Sequence, residues 1–329
     1  MKLQGKKVLV TGAGGFIGSY LVEKLVNTGA HVKTLVRYNS RNDWGLIELL
    51  PPEIKENIEI IAGDLRDPET VREAVSEIAI VFHLAALIAI PYSYQHPREY
   101  VETNIIGTLN VLNAAKDYEI EKIIHTSTSE VYGSAKYVPI DEEHPLQGQS
   151  PYSATKIGAD ALAESFYRSY NLPVATIRPF NIYGPKQSAR AVIPTIISQV
   201  LTQNRLRLGS LHPTRDYTYV SDTIEGFIKV AESPNSIGEI INIGSNFEVS
   251  IGDIANKVLN ILNKDIMIET DEQRVRPEQS EVQRLWCNNN KAKNLIGWEP
   301  RVNFDVGLNQ TIEWILDHLD SYKPEIYSV

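Results

Sequence analysis

Two short runs in the middle of the chain carry side chains suited to proton transfer. The first reads Thr128-Ser129-Glu130 and follows an apolar run, and the second contains Tyr152 and Lys156. Residues four apart lie on the same face of a helix, so an ammonium group beside the phenol is expected to lower the pKa of Tyr152. Such a tyrosine could transfer a proton near neutral pH, provided that its helix lies beside Glu130.

A parallel sheet would bring these runs to one edge. Short apolar, strand-like runs alternate with helical patterns through the first half of the chain. This alternation predicts right-handed crossovers and an α/β fold with a doubly wound parallel sheet. The predicted strands cover residues 7–10, 31–36, 58–62, 80–83, 122–126 and 174–178.

A glycine-rich turn separates the first predicted strand from the first helix. Gly12, Gly15 and Gly18 have the spacing that gives a tight turn, lets backbone N–H groups approach a pyrophosphate and permits close helix packing. Phe16 and Ile17 begin the helix, whose N-terminus would face the phosphates. A purely structural glycine turn is the alternative. We therefore predict a Rossmann-type domain that binds a dinucleotide.

The alternation of strands and helices loosens after about residue 180. Prolines and polar loops separate shorter elements there. We predict a dinucleotide-binding domain over residues 1–180 and about 217–245. A smaller C-terminal substrate lobe would cover about 181–216 and 246–329.

The end of the second predicted strand bears on the type of cofactor. A carboxylate there would bind the ribose 2′-hydroxyl of NAD, whereas an arginine would accept the 2′-phosphate of NADP. The chain has Arg37, Ser40 and Arg41 at this place and no acid before Asp43. This favours NADP and leaves NAD possible, and two solvated arginines on a loop are the alternative.

Further cofactor contacts are expected after the third and fourth strands. Asp64 and Leu65 follow the third strand, and Ala85 and Ala86 follow the fourth. The small alanines suit a backbone that lies against a cofactor. Asp64 could bind the adenine amine or could cap its own loop.

Composition and charge narrow the classes of partner. The net charge of -9 argues against nucleic acid. The single cysteine, Cys287, excludes a disulfide within the chain and fits a reducing compartment. With no apolar stretch near the ~20 residues that span a bilayer and no signal-peptide pattern, we expect a cytoplasmic protein without membrane contact. Because His83, His125 and His212 lack paired ligand spacing, no metal site is expected.

Several motifs together resemble the extended short-chain dehydrogenase/reductase family of nucleotide-sugar enzymes. They are the glycine turn, the Tyr152 and Lys156 pair, Arg178-Pro179-x-Asn181-x-Tyr183-Gly184-Pro185 and Arg215-Asp216-Tyr217-x-Tyr219-Val220-x-Asp222. The resemblance implies an NAD(P) domain, a nucleotide-sugar lobe and a homodimer built through helices at about 98–116 and 151–170.

The same resemblance implies roles for individual residues. Tyr152 would be the base, assisted by Thr128 and Lys156. In the substrate lobe, Arg215 and Arg276 would bind the diphosphate and ribose, Glu278 the ribose, and Asn181 would lie near the phosphates.

Within this family, Thr128-Ser129-Glu130 favours a 4,6-dehydratase over a 4-epimerase. Dehydration needs a carboxylate such as Glu130 to remove the C5 proton after C4 is oxidised, whereas a 4-epimerase has no use for one. Ser129 stands where many glucose dehydratases carry an acid. The general acid for the 6-hydroxyl therefore stays open between Ser129 and Glu130 acting through water.

The resemblance leaves other activities open. UDP-glucuronate decarboxylases share the Thr-Ser-Glu run, but residues 87–97 offer no arginine for a C5 carboxylate before Arg98. A non-catalytic NADP-binding sensor is less favoured, because the catalytic residues are intact. Residues 87–97 and 209–216 are also similar to the dehydratases of legionaminic-acid pathways, so the predicted substrate is UDP- or GDP-N-acetylglucosamine.

Overall fold

A parallel sheet forms the centre of the computed structural model, which describes residues 2–323. The strands of the described residues are β1 (Lys7–Thr11), β2 (His31–Arg37), β3 (Ile58–Gly63), β4 (Ile80–His83), β5 (Lys122–Thr126), β6 (Val174–Pro179), β7 (Asn181–Tyr183), β8 (Arg205–Leu208), β9 (Thr214–Tyr219), β10 (Ile240–Ile243), β11 (Glu248–Ser250) and β12 (Met267–Thr270). Seven of them form the main sheet in the order β10-β6-β5-β4-β1-β2-β3. All neighbouring strands of this sheet are parallel.

Helices connect and cover the strands. They are α1 (Phe16–Asn27), α2 (Pro52–Lys55), α3 (Pro68–Val75), α4 (Ile90–Gln95), α5 (Pro97–Tyr100), α6 (Gly107–Asp117), α7 (Pro151–Tyr170), α8 (Val192–Thr202), α9 (Val220–Glu232), α10 (Ile251–Ile261), α11 (Asn290–Ile296) and α12 (Phe304–Asp317). A π-helical segment, Val101–Ile106, joins α5 to α6. The predicted helix at about 98–116 is therefore one helical run with a wider turn in its middle.

The main sheet separates two hydrophobic cores. Val8 and Val10 of β1 pack with residues of α1 and α9. Leu9, between them, packs with α3, α6 and α7 on the other face. Successive side chains of a strand point to opposite faces, so burial of all three shows that both faces are covered. The predicted Rossmann-type α/β fold is confirmed.

The chain after β6 builds smaller sheets around a third hydrophobic core. β7, β9 and β11 form a three-stranded sheet, and β8 pairs with β12. Their core extends from Tyr183 to Tyr322. Between these elements the chain returns through α9 to add β10 beside β6. The domain boundaries remain a prediction. Among residues 2–323, no helix has the length and apolar character needed to cross a bilayer.

Candidate active site

The glycine turn joins β1 to α1 at the carboxyl edge of the main sheet. Gly12 has a φ of +74°, and a methyl group on it would lie 2.8 Å from the backbone nitrogen of Ala85. A methyl group on Gly18 would overlap the carbonyl oxygen of Gly12. The hydroxyl of Thr11 accepts hydrogen bonds of 3.1 Å from the backbone N–H groups of Leu84 and Ala85. The end of β4 is thus fixed against the turn, and the space between them excludes side chains.

The start of α1 suits an anionic group. Its N-cap is Gly15, and its first turn contains no acidic residue. The N-terminal N–H groups of a helix lack partners within the helix and carry partial positive charge, so they bind phosphates well. Together with the cradle between Gly12 and Ala85, Phe16 and Ile17 therefore fit the pyrophosphate of a dinucleotide.

The other predicted cofactor residues lie at the same edge of the sheet. Arg37 ends β2 and is exposed, as are Ser40 and Arg41 in the following loop. One guanidinium nitrogen of Arg41 lies 3.4 Å from the carboxylate of Asp43. Leu65 follows β3 and Ala86 follows β4. The structure thus places two positive side chains at the end of β2, where the sequence predicts that the type of cofactor is decided.

Asp64 caps its own loop. Its carboxylate accepts hydrogen bonds from the backbone nitrogen of Arg66 at 2.9 Å and from the guanidinium at 2.6 Å. These bonds lower the pKa of Asp64. Of its two predicted roles the structure shows loop capping, and contact with adenine stays a prediction.

A capping box fixes the start of α7, which carries the predicted base. The hydroxyl of Ser150 accepts a 3.1 Å bond from the backbone N–H of Ser153, and the backbone N–H of Ser150 donates to the Ser153 hydroxyl at 3.0 Å. Pro151 at the first helical position supplies a pre-set φ. The first turn of α7 therefore holds Tyr152 at a defined place beside the end of β5.

Tyr152 and Lys156 occupy this first part of α7 but do not interact as predicted. Tyr152 is buried, its phenol hydrogen-bonds Thr128, and its pKa is raised by burial, with a further increase from the charge of Glu130. Lys156 Nζ donates a 2.6 Å bond to the carbonyl oxygen of Thr126, and burial lowers its pKa to about 8. The predicted lowering of the Tyr152 pKa is wrong for the protein alone, because burial of the phenol, together with the charge of Glu130, outweighs the lowering by the Thr128 hydrogen bond.

Glu130 lies in the short turn Ser129–Tyr132, which follows β5. The Thr128 hydroxyl caps this turn by accepting a 3.2 Å bond from the backbone N–H of Glu130. Ser129 is buried, whereas Glu130 is half-buried. The charge of Glu130 raises the pKa of both Tyr152 and Tyr217 after the effect of burial. The carboxylate therefore lies near enough to act electrostatically on both Tyr152 and Tyr217 of the smaller sheet.

The predicted substrate residues converge at the smaller sheet. Asn181 in β7 pairs with Tyr217 in β9. Burial raises the pKa of Tyr217, which Arg215 and Arg276 lower in part. Both arginines approach Glu281 Oε1, at 3.4 Å from Arg215 and 3.7 Å from Arg276. Arg276 Nη1 and Asn181 Oδ1 are buried and have no hydrogen-bond partner within residues 2–323. Glu278 lies exposed on the nearby turn Glu278–Ser280.

A hydrogen-bonded clasp of Tyr94, Gln149 and Ser280 joins three segments around this site. The hydroxyls of Tyr94 in α4 and Ser280 lie 2.6 Å apart. Ser280 Oγ donates a 2.5 Å bond to the carbonyl oxygen of Gln149, just before α7. Gln149 Nε2 in turn donates to the carbonyl oxygen of Gln279 at 2.9 Å. Sequence reasoning missed the clasp, since no local pattern marks contacts between such distant segments.

A buried ionic network lies one helical turn beyond Lys156. Asp160 accepts hydrogen bonds from His125 Nε2 at 2.9 Å, Ser127 Oγ at 2.7 Å and Arg178 Nη2 at 3.0 Å. Burial by itself raises the pKa of Asp160, but the bond from His125 and the charge of Arg178 bring the pKa below its ordinary value. Sequence reasoning missed Asp160, whose position four residues after Lys156 on the same helix face was the available signal.

Asn104 ties the π-helical segment to the active site. Its side-chain NH₂ donates to the carbonyl oxygen of Leu87 at 3.0 Å and to the Thr155 hydroxyl at 3.1 Å. Its side-chain oxygen accepts from the Leu87 backbone N–H at 2.8 Å. Asn104 therefore links the backbone after β4 to α7.

The histidines considered as metal ligands lie in separate hydrogen bonds. His83 bonds the hydroxyls of Thr11 and Thr108, while His212 Nε2 lies 2.9 Å from Gln283 Oε1. His125 belongs to the Asp160 network. Across the described part of the chain, no group of three or more His, Cys, Asp or Glu side chains could hold a metal ion.

With this geometry in place, the family of the chain follows from a match of residues 9–311 to the family model described as GDP-mannose 4,6 dehydratase. The chain belongs to the GDP-mannose 4,6-dehydratase family. One similar relative is the dTDP-D-glucose 4,6-dehydratase of Mus musculus. It is 33% identical over 327 residues, which cover 97% of this chain and 91% of that protein.

Solved structures similar to this family member include a dehydratase and an epimerase. DesIV, a dTDP-glucose 4,6-dehydratase from Streptomyces venezuelae solved with NAD and TYD bound, has a TM-score of 0.85 and 28% identity, covering 97% of this chain and 99% of that chain. The epimerase Mth375 of Methanothermobacter thermautotrophicus has a TM-score of 0.88 and 30% identity, covering 97% and 94%.

Membership of the GDP-mannose 4,6-dehydratase family confirms the resemblance to extended short-chain dehydrogenase/reductases of nucleotide sugars. The chain is an enzyme of this NAD(P)-dependent class. The narrower resemblance to legionaminic-acid dehydratases stays a prediction.

Proposed function

We propose that this enzyme is a nucleotide-sugar 4,6-dehydratase that converts UDP- or GDP-N-acetylglucosamine to the 4-keto-6-deoxy sugar. The observation that carries the proposal is the position of Glu130, in a turn capped by Thr128 and near enough to raise the pKa of Tyr152. Elimination across C5 and C6 needs a base at C5, whereas oxidation and reduction at C4 alone do not. The carboxylate thus favours dehydration.

The proposed reaction assigns the two proton abstractions to different side chains and leaves the general acid open between Glu130 and Ser129. Tyr152, which interacts with Thr128, would take the 4-hydroxyl proton as its phenolate while C4 becomes a ketone, and the positive charge of a bound oxidised dinucleotide would favour that form. Bound NAD(P) supplies the acceptor of hydride at C4 and its donor at C6. The ketone acidifies the C5 proton, which Glu130 removes while the 6-hydroxyl leaves as water with a proton from Glu130 or Ser129. A proton then returns to C5, and the balance closes because Tyr152 releases the proton that it took from the 4-hydroxyl, so the products are water and the 4-keto-6-deoxy sugar.

The diphosphate of the substrate would be held by Arg215 and Arg276, with Glu278 on the ribose and Asn181 near the phosphates. Guanidinium groups form paired hydrogen bonds with phosphate oxygens. The buried Arg276 Nη1, which has no hydrogen-bond partner in the part of the chain that the structure describes, supports this proposal, because a phosphate oxygen could accept from it. Asn181 Oδ1 also lacks such a partner, but it is an acceptor, so its partner would be a hydroxyl of the ligand and not a phosphate oxygen.

We also propose NADP as the preferred dinucleotide. The exposed Arg37 and Arg41 beyond β2 support it, because their charges suit a 2′-phosphate. DesIV was solved with NAD, so the discrimination has to be measured. Titration of the protein with both dinucleotides tests the proposal, and tighter binding of NAD contradicts it.

A homodimer is proposed from the surface of two helical segments. Val101 and Ile106 of the Pro97–Asp117 run are 43% and 42% exposed, and Tyr170 of α7 is 55% exposed. Apolar side chains on neighbouring helices suit an interface between two copies. Sedimentation velocity should give a dimer that Val101→Glu weakens, and a monomeric wild type contradicts this.

The reaction is tested by incubating the enzyme and NADP with UDP- and GDP-N-acetylglucosamine and measuring the product mass. Loss of one water supports the dehydratase. An unchanged mass with a new retention time indicates a 4-epimerase, the second candidate, which the similarity to Mth375 favours. A parallel incubation with UDP-glucuronate tests for a decarboxylase, which would release carbon dioxide. A decarboxylase is less favoured, because Arg98, the first arginine after residues 87–97, is 90% exposed and bonded to Glu102 instead of being free to bind a C5 carboxylate. If none of these sugar nucleotides is turned over, the result favours a non-catalytic NADP-binding sensor.

Glu130→Gln tests the role of the carboxylate within the reaction. A positioned proton-transfer group contributes about 100- to 10,000-fold, so product formation should fall by this range. Transient cofactor reduction at C4 should be spared, because removing the Glu130 charge also removes one cause of the raised Tyr152 pKa. Single-turnover absorbance and product mass separate the two steps. Tyr152→Phe is the control that should lose both while cofactor binding survives, and equal loss of both steps in Glu130→Gln contradicts the assignment.

A further inference from the structure

The two arginines proposed as diphosphate ligands already share one carboxylate of the protein. Glu281 Oε1 lies 3.4 Å from Arg215 Nη2 and 3.7 Å from Arg276 Nη1. The side chains of Glu281 and Arg215 are 11% and 7% exposed, and that of Arg276 is 28% exposed. This is therefore a largely buried site in which one negative charge faces two positive charges.

The contacts of Glu281 with the arginines are longer than those of a well-formed pair. Charge-assisted N–H···O bonds are typically about 2.7–2.9 Å long. The buried pair of Arg178 with Asp160, at 3.0 Å, comes close to that length. Arg276 Nη1, by contrast, has no hydrogen-bond partner among residues 2–323. Glu281 thus neutralises part of the charge of the arginines without using their donors fully.

The backbone holds Glu281 in this place. Its N–H donates to the carbonyl oxygen of Pro277 at 3.0 Å, and its carbonyl oxygen accepts from Ser134 Oγ at 3.4 Å. Beyond it, the backbone N–H of Leu285 donates to the carbonyl oxygen of Thr214 in β9 at 3.1 Å. The carboxylate therefore remains near the arginines when an anion arrives, and a diphosphate bridge would bring further negative charge to the same two guanidinium groups.

We propose that Glu281 limits the affinity for nucleoside diphosphates by competing for Arg215 and Arg276. The inference rests on the proposed function, which makes these arginines the diphosphate ligands. The diphosphate is unchanged by the chemistry at C4, C5 and C6. Competition by Glu281 therefore acts equally on substrate, transition state and product, so it alters KM and product affinity rather than the chemical step.

Glu281→Gln tests the proposal because it keeps the shape of the side chain and removes its charge. Titration calorimetry with UDP, GDP and dTDP should show the Kd of the best ligand falling about tenfold. Uridine, guanosine and thymidine, which lack the diphosphate, should bind as they do to the wild type. KM should fall while the single-turnover rate of cofactor reduction stays unchanged. Glu281→Asp, which retains the charge, should retain the weaker binding.

Glu272→Gln is the matched control, because Glu272 lies exposed on the same segment and its loss changes the net charge equally. It should leave every Kd at the wild-type value. Unchanged or weaker binding by a folded Glu281→Gln protein, with folding checked by its thermal unfolding, overturns the proposal and leaves Glu281 as a residue that merely orients the arginines. If the wild type binds none of the three diphosphates, the proposed substrate site is wrong. If the wild type binds them and Glu281→Gln does not bind them more tightly, only the proposed role of Glu281 is wrong.

Discussion

Gly12 and Gly5 form a natural pair for testing how the cofactor turn depends on the absence of a side chain. Both have a φ of +74°. A methyl group on Gly12 would lie 2.8 Å from Ala85 N and 2.9 Å from Ala85 Cα, whereas none of the described atoms lies within 4 Å of such a methyl group on Gly5. The two glycines share a backbone conformation and differ in the space around them.

The expected destabilisation follows from the left-handed backbone conformation and from the space available for a methyl group. An alanine in the left-handed region costs about 1–2 kcal/mol, and this cost applies to both positions. Forcing an extra methyl group against a fixed backbone adds about 1–3 kcal/mol at Gly12. Gly5→Ala should therefore lower the free energy of unfolding by about 1–2 kcal/mol, and Gly12→Ala by about 2–5 kcal/mol.

Urea unfolding followed by circular dichroism measures both losses, and dinucleotide titration measures the effect on the cofactor site. Gly5→Ala should bind NADP or NAD as the wild type does, because it lies outside the turn. Gly12→Ala should lose binding, since the displaced Ala85 backbone would narrow the cradle. Equal destabilisation by the two substitutions, or unchanged dinucleotide binding by a folded Gly12→Ala protein, would refute this reasoning.

Two further predictions concern a buried acid and the clasp. Burial raises the pKa of Asp216 from 3.8 to about 6, so within this window the folded protein keeps a proton that the unfolded chain loses. As pH rises from about 4 to 7, the free energy of unfolding of the wild type should fall by on the order of 3 kcal/mol relative to that of Asp216→Asn. Urea unfolding at several pH values measures both, and an equal pH dependence of the two proteins would contradict the prediction. Tyr94→Phe and Ser280→Ala should each raise KM, and because their hydroxyls lie 2.6 Å apart a double-mutant cycle should give a coupling of about 0.5–3 kcal/mol. Additive effects would show that the hydroxyls do not act together.

The strands of the main sheet could be predicted well from sequence, for a local reason. The predicted strands 7–10 and 31–36 differ from β1 and β2 only by one residue at the carboxyl end, because apolar runs with clear polar or glycine boundaries mark buried parallel strands. The strands of the smaller sheet were not predicted individually. β9 is partnered by β7 and β11, so its limits depend on long-range pairing.

In the candidate site, too, local spacing could be predicted from the sequence, whereas properties that depend on long-range packing could not. Motif spacing was enough to place Tyr152 and Glu130 at one edge of the sheet. It could not give the direction of the Tyr152 pKa shift, which depends on how deeply the ring is buried, with the ring of Tyr100 packed against it at 6.3 Å. Nor could it place Glu281 between two arginines, because that position depends on the contact of Leu285 with Thr214.

The pairing of β10 with β6 has a consequence for the synthesis of the protein. β10 completes the main sheet, yet β7, β8 and β9 are made between the two strands. A nascent chain that has not reached Ile243 presents one edge of β6 without its partner strand, and open strand edges promote association between chains. The main sheet can therefore gain its last strand only after Ile243 has been made. We expect a fragment cut at about residue 180 to keep the glycine turn and Tyr152 but to associate with other copies through that edge.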